Sequence, residues 1–132
     1  MKKSQLDHIL RAASRITEEK QFIVIGSQSI VGSTDGPLPP ITTLSIGADL
    51  LPLDDPDGEK LDLIDGTIGE LSMFHDTFGI YARGVVPTTA RLPEGWRDRL
   101  IPLRDENTHR VTGLCLDPVS YTHLTLPTNR EV

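Results

Sequence analysis

Cysteine is scarce in this chain, since Cys115 is the only one among 132 residues. A single cysteine excludes an intrachain disulfide and supplies no set of thiolate ligands for a metal. We therefore expect a protein of the reducing cytoplasm. Cys115 lies inside an apolar run and is expected to be a small core residue.

Long apolar runs are also missing. No stretch approaches the roughly 20 apolar residues that a membrane-spanning helix needs. The opening Met1-Lys2-Lys3 is followed by an amphipathic, charged segment rather than by the continuous apolar region of a signal peptide. The sequence thus predicts a protein that does not bind a membrane.

Positive charge is in short supply. Lysine and arginine number 13 against 19 acidic residues, which gives a net charge of −6 and a pI near 5.1. Because phosphate contacts need clustered Lys and Arg side chains, this balance argues against a broad nucleic-acid-binding surface and leaves room only for a local basic patch. The length suits one domain, which we place at residues 1–118.

The first predicted element is a helix from Ser4 to about Lys20. Apolar residues recur at three- and four-residue spacing and form one stripe: Leu6, Ile9, Leu10, Ala13 and Ile16. Such a stripe is typical of a helix that packs on a sheet. His8 lies beside it and is expected to be structural rather than catalytic.

The central stretch of the sequence runs from Phe22 to Ile30. Phe22 to Ile25 predicts a buried strand, Gly26-Ser27 a tight turn, and the residues after it the start of a helix. Gly26 lets the backbone approach a ligand closely, and the Ser27 hydroxyl can cap the helix. Free N–H groups and a positive helix end then meet at one point, which suits a phosphate. An ordinary turn with a common cap is the alternative.

A second predicted strand lies between Leu44 and Pro52 and carries Asp49 where it emerges beside the first strand. The proline-containing segment Thr34–Pro40 between the two strands is expected to be a loop. After this strand, four apolar residues fall on one side of a predicted helix: Leu61, Ile64, Ile68 and Leu71. The segment from Ser72 to Gly79 is expected to be a loop, in which His75 either assists proton transfer or is structural.

The rest of the chain is predicted to be rich in strands. Three apolar segments carry this signal: Ile80–Val86, Leu100–Arg104 and Val111–Leu116. The last two predict a hairpin, in which Pro102 should lie at a sheet edge or a bulge because it lacks an N–H donor. Arg83 is expected either to contact a triphosphate or to be an exposed strand residue.

These motifs resemble the nucleotidyltransferase superfamily, in which an apolar residue, Gly and Ser are followed on the next strand by two carboxylates separated by one residue. The chain is most similar to a bacterial branch that itself resembles the nucleotidyltransferases of abortive-infection toxin–antitoxin systems. The similarity runs from about residue 22 to residue 118. Its motifs are Ile25-Gly26-Ser27-Gln28, Ala48-Asp49-Leu50 with Pro52, Asp62-Leu63-Ile64-Asp65-Gly66, Gly69-Glu70-Leu71-Ser72, Phe74-His75-Asp76-Thr77-Phe78-Gly79, Gly95-Trp96 and Leu114-Cys115-Leu116.

The resemblance implies an α/β (α+β) fold, a nucleotidyltransferase-like mixed β-sheet with helices packed mainly on one face. It also implies Mg²⁺-dependent transfer of a nucleotidyl group from a nucleoside triphosphate to a hydroxyl of an RNA, a protein or a small molecule. Gly26 and Ser27 would hold the nucleotide, and Asp49 would be both the catalytic residue and the metal ligand. A partner protein, as in a toxin–antitoxin system, is a further expectation.

Gly47 departs from this pattern, because the branch places an acid two residues before the residue matched by Asp49. Two carboxylates on alternate strand positions share one face and can hold metal ions that clamp a triphosphate. With Asp49 alone, only one of the two carboxylates is present. A catalytically degenerate binding or partner module is therefore the competing hypothesis. For the third carboxylate that superfamily enzymes often hold, Asp105 and Glu106 are the nearest candidates, and a plain hairpin turn is the alternative.

The end of the chain does not share the resemblance. The segment Val119–Val132 resembles the translated adaptor sequence found at the ends of truncated metagenomic reading frames, and is excluded from fold reasoning. The domain is therefore expected to be incomplete at its C-terminus. A fragment without independent activity is a third hypothesis.

Overall fold

The chain forms a mixture of helices and strands. The computed structural model describes residues 1–26, 28, 31–32, 46–53, 55–85, 98, 100–104, 108 and 110–116. Within these residues the elements follow the order α1 (Lys3–Thr17), β1 (Gln21–Ile25), β2 (Gly47–Pro52), α2 (Glu59–Thr67), α3 (Met73–Phe78), β3 (Tyr81–Gly84), β4 (Leu100–Leu103) and β5 (Thr112–Leu116). The predicted α/β (α+β) class is confirmed at this level. None of the described helices has the length and apolar character needed to cross a membrane.

The five strands form one mixed sheet in the order β3-β2-β1-β5-β4. The central strand β1 pairs antiparallel with β2 and parallel with β5. The pair β2–β3 is parallel, and β4–β5 is the antiparallel pair that the sequence predicted as a hairpin. Pro102 lies on β4, which is an edge strand, as predicted for a residue that lacks an N–H donor.

Helix α1 is the element that the periodicity predicted most closely. Its apolar stripe is fully buried at Leu6, Ile9, Leu10 and Ala13. The helix ends at Thr17 rather than near Lys20, because Glu18 adopts a left-handed backbone (φ 60°) while its N–H still bonds to Ser14 O at 2.8 Å.

Helices α1 and α2 cover one face of the sheet, as predicted. The main core joins residues of α1 and α2 to alternate residues of the strands, among them Leu10, Ile64, Phe22, Val24, Ala48, Leu50, Ala82 and Cys115. Strand residues of the opposite parity form a second, smaller cluster of Ile23, Ile25 and Leu51 on the other face. That second face also carries Asp49, and we call it the Asp49 face.

Two sequence predictions between β2 and β3 were wrong. Leu71 does not join the buried side of a helix: α2 ends at Thr67, and Leu71 is 91% exposed with φ 69°. The segment after it is not a loop, because Ser72 caps a short helix by accepting a hydrogen bond from His75 N at 3.2 Å. The predictions for Thr34–Pro40, for Asp105 and Glu106, and for residues 119–132 lie outside the described residues.

Cys115 provides a test of this core. It is fully buried on β5, and burial raises the pKa of its thiol to about 12 from an ordinary value of 9.0. Because the thiolate is the reactive form, we expect the folded protein to react with a thiol reagent at pH 8 about 1,000-fold more slowly than the unfolded chain. Absorbance assays with and without denaturant measure both rates, and equal rates would contradict the burial of Cys115.

Candidate functional site

The register of the sheet places Asp49 in the middle of a row of three residues. Asp49 on β2 lies opposite Ile25 of β1 and opposite Arg83 of β3. Directly paired residues share a face, so all three side chains lie on the Asp49 face. The Asp49 side chain is 26% exposed, which leaves its carboxylate within reach of a ligand.

Gly26 comes directly after Ile25 and brings the predicted turn beside Asp49. It has φ +75°, the left-handed conformation that glycine adopts without steric cost. A Cβ atom built on Gly26 would lie 3.3 Å from Asp49 Oδ2, so the backbone of the turn and the carboxylate are in close contact. Two of the three predicted site residues are therefore neighbours, and the third, Ser27, lies outside the described residues.

Gln28 is a residue at this site to which the sequence motif assigned no role. It is helical, as are Val31 and Gly32, which agrees with the predicted start of a helix after the turn. Its side chain is 1% exposed, and Nε2 donates to Gly47 O at 3.3 Å. The residue after Ser27 is thus attached to the strand that carries Asp49.

Arg83 forms an ion pair with Asp49. Arg83 Nε donates to Asp49 Oδ1 at 3.1 Å, and the arginine side chain remains 60% exposed. Arg83 is therefore an exposed strand residue, which is one of its two expectations, and contact with a triphosphate stays a prediction. Burial raises the pKa of Asp49 above its ordinary value, and the attraction and hydrogen bond of Arg83 offset only part of that rise.

An aromatic ring occupies the space beside Gly47, where the resemblance predicts an acid. Gly47 precedes Asp49 by two residues on the same face and pairs with Tyr81. A Cβ atom on Gly47 would lie only 2.8 Å from Cε2 and Cζ of Tyr81, closer than carbon atoms normally approach. An acidic side chain at position 47 therefore requires the tyrosine to move. Nothing in the motif pattern indicated Tyr81, because its role follows from strand pairing.

His75 supports this tyrosine. The centroids of the His75 and Tyr81 rings lie 4.8 Å apart, and His75 Nδ1 accepts a hydrogen bond from Leu71 N at 3.0 Å. His75 is thus bonded to the turn before α3. Of its two predicted roles, these contacts favour the structural one over proton transfer.

The residues that the structure describes show no cluster of metal-ligating side chains at Asp49. These residues include no group of three or more His, Cys, Asp or Glu side chains placed to hold a metal ion. What the site does offer is one half-buried carboxylate, one exposed guanidinium and a glycine turn. A carboxylate can bind a cation and a guanidinium can bind a phosphate, so this set suits a ligand that contains both.

The contact between Gly47 and Tyr81 gives the first test at this site. We expect Gly47→Ala to lower the free energy of unfolding by about 1–3 kcal/mol, because the new methyl group overlaps the Tyr81 ring. In a Tyr81→Ala background the same substitution should cost much less. Urea unfolding of the two single variants and the double variant measures this coupling, and additive effects would contradict the contact.

The raised pKa of Asp49 gives a second test. The folded protein holds this proton more tightly than the unfolded chain does, so stability from this group is complete below the unfolded value of 3.8 and falls as the pH rises through the folded-state pKa. We expect the free energy of unfolding of the wild type to fall over this window relative to Asp49→Asn. Urea unfolding from about pH 3 to about pH 8 measures the difference.

Arg83→Gln is the matched variant for that experiment. Because Arg83 lowers the pKa of Asp49, its removal should extend the loss of stability to higher pH. A difference between wild type and Asp49→Asn that does not change with pH would show that burial does not affect this carboxylate.

Comparisons with models of known protein families, with curated proteins and with solved structures found no match to this chain. Support for a function therefore comes from the geometry around Asp49 together with the sequence motifs.

Proposed function

We propose that the chain is a nucleotidyltransferase-like domain that binds a nucleoside triphosphate with Mg²⁺ and transfers a nucleotidyl group to a hydroxyl acceptor. The observation that carries this proposal is the contact between the Gly26 turn and Asp49, where a Cβ on Gly26 would lie 3.3 Å from the carboxylate. This chemistry requires a phosphate-binding turn next to a metal-binding carboxylate. The Gly26 turn and Asp49 are neighbours of this kind in position.

The residues present fit one Mg²⁺ ion better than two. Mg²⁺ is commonly held by one or two carboxylates together with substrate phosphates and water. Asp49 offers one carboxylate at a position that is partly open, while the Tyr81 ring lies over Gly47, where a second carboxylate would stand. Asp49 would therefore hold the ion together with oxygen atoms of the triphosphate. When bound, Mg²⁺ neutralises phosphate charge and favours deprotonation of the attacking hydroxyl.

Four residues of the chain would contribute to binding of the triphosphate. The Gly26 turn lets the backbone come close to a phosphate, and Ser27 would add its hydroxyl to that contact. Arg83, paired with Asp49 and 60% exposed, would turn its guanidinium to the triphosphate and free Asp49 Oδ1. Gln28 would keep the start of the helix in place through its bond to Gly47 O.

A specific observation favours a second candidate function. The close fit of Gly47 against Tyr81 matches a site that has lost its second carboxylate and has filled the space. In this alternative the domain binds a nucleotide, or a partner protein of a toxin–antitoxin system, without catalysis. In the catalytic proposal, by contrast, the acceptor of the nucleotidyl group is an RNA, a protein or a small molecule.

Calorimetry of ATP and GTP binding with and without Mg²⁺ tests the proposal. We expect Mg²⁺-dependent binding that weakens at least about tenfold in Asp49→Asn, because the amide cannot replace the anionic oxygen ligand. Asp62→Asn is the matched control, since Asp62 is an exposed residue of α2, which packs on the other face of the sheet. Its affinity should equal that of the wild type.

The two candidates differ in the step that comes after nucleotide binding. Release of pyrophosphate in the presence of an RNA, protein or small-molecule acceptor supports transfer, whereas binding without release for any of them supports the non-catalytic module. Absence of Mg²⁺-dependent binding by a folded sample contradicts both nucleotide proposals.

A further inference from the structure

A groove of about 700 Å³ lies beside α1, between this helix, Phe74 of α3 and Val111. The helix contributes Arg11 and Arg15, Glu18 follows its last residue, and Lys20 lies just before β1. His8 and Phe74 of α3 form an aromatic part of its wall. The volume falls in the range of small-molecule sites, which is roughly 300–1,000 Å³.

The charge of this groove is opposite to that of the whole chain. Three cationic side chains, Arg11, Arg15 and Lys20, line it together with one carboxylate, Glu18, although the protein has a net charge of −6. Arg11 and Arg15 are one helical turn apart, so their side chains reach the same side of α1. Two guanidinium groups at this spacing can both donate to one phosphate.

The rings of the aromatic wall contact one another. The centroid of the His8 ring lies 4.5 Å from that of Phe78 and 5.1 Å from that of Phe74, and the centroids of the two phenylalanine rings are 4.9 Å apart. Burial, aided by the nearby Arg11, lowers the pKa of His8, which favours the neutral ring at pH 7. A neutral aromatic surface beside arginine side chains suits the flat face of a nucleobase.

This groove is separate from the Asp49 site. It lies at the start of β1 and β5, where Thr112 N bonds to Lys20 O at 2.8 Å and Val111 reaches the groove. Gly26 follows the other end of β1, a strand of five residues that spans roughly 16 Å. In addition, α1 packs on the face of the sheet opposite Asp49.

We propose that the groove on α1 binds a nucleoside monophosphate, with the phosphate on Arg11 and Arg15 and the base against His8 and Phe74. The proposal does not depend on nucleotidyl transfer at Asp49. It assigns a second nucleotide site to the chain, one that needs no metal ion because arginine side chains supply the positive charge.

Titration of the full chain with AMP, adenosine and inorganic phosphate tests this site. We expect AMP to bind without Mg²⁺, and adenosine and phosphate each to bind at least about tenfold more weakly, because each lacks one of the two recognised groups. Amide NMR shifts should change around residues 8–15 and residue 74, and not around Gly26 and Asp49.

Variants test the phosphate-binding arginine pair and the base-binding aromatic wall separately. Arg11→Gln with Arg15→Gln should weaken AMP binding at least about tenfold while keeping the helix, because glutamine is also a good helix former. Arg104→Gln, which removes one positive charge at an exposed position just after β4, should have no effect. Phe74→Leu should weaken AMP without changing the affinity for phosphate.

Several results would overturn the proposal. They are AMP binding that is unchanged in the double arginine variant, shifts that map to Gly26 and Asp49, and phosphate that binds as tightly as AMP. A short RNA oligonucleotide that binds through the same arginines more than about tenfold more tightly than AMP would replace the small ligand with a macromolecular one. Thermal melting of each variant confirms that the protein is folded, and Phe74→Leu and the arginine pair test the site independently.

Discussion

The antiparallel pairing of β1 with β2 is the interaction on which the candidate site depends. It places Asp49 opposite Ile25, the last residue before the Gly26 turn. A shift of one residue would turn Asp49 toward the helix-covered core, where a carboxylate without a partner is costly. The neighbours Ala48 and Leu50 are both fully buried in that core and hold the register.

Once this register is set, the charge at the site follows from the adjacent strand. The parallel pairing of β2 with β3 brings Arg83 to Asp49 and Tyr81 to Gly47. Burial and Arg83 act in opposite directions on the pKa of Asp49, and burial has the larger effect. The result is a half-buried carboxylate that already has a partner, beside a glycine whose free space is taken by an aromatic ring. A cation that binds Asp49 would compete with Arg83 for this carboxylate, and an anion that binds Arg83 would compete with Asp49.

The two proposed sites lie at opposite ends of β1 and use different chemistry. The Asp49 site combines a glycine turn with a carboxylate, which suits a phosphate accompanied by a cation. The groove on α1 offers arginine and lysine beside aromatic rings, which suits a phosphate without one. Both lie on a chain whose overall charge is −6, so local placement of charged residues matters more here than composition.

Periodicity in the sequence predicted α1, β1 with the turn after it, β2, and the β4–β5 hairpin. These patterns are informative because alternation and helical spacing indicate which side chains are buried. The burial of Cys115 followed from its position in an apolar run, and the position of Pro102 on an edge strand followed from its missing N–H donor. Periodicity failed at Leu71 and at α3, where a left-handed residue and a serine cap interrupt the pattern over a few residues.

The sequence alone also indicated Gly26 and Asp49 as site residues, because a glycine after a buried strand and an acid on the next strand are local signals. It did not indicate that Arg83 pairs with Asp49, 34 residues away, or that Tyr81 covers Gly47. Those contacts depend on which strand lies beside β2 and in what register. That choice is made by the packing of the whole core, and no local pattern of residues records it.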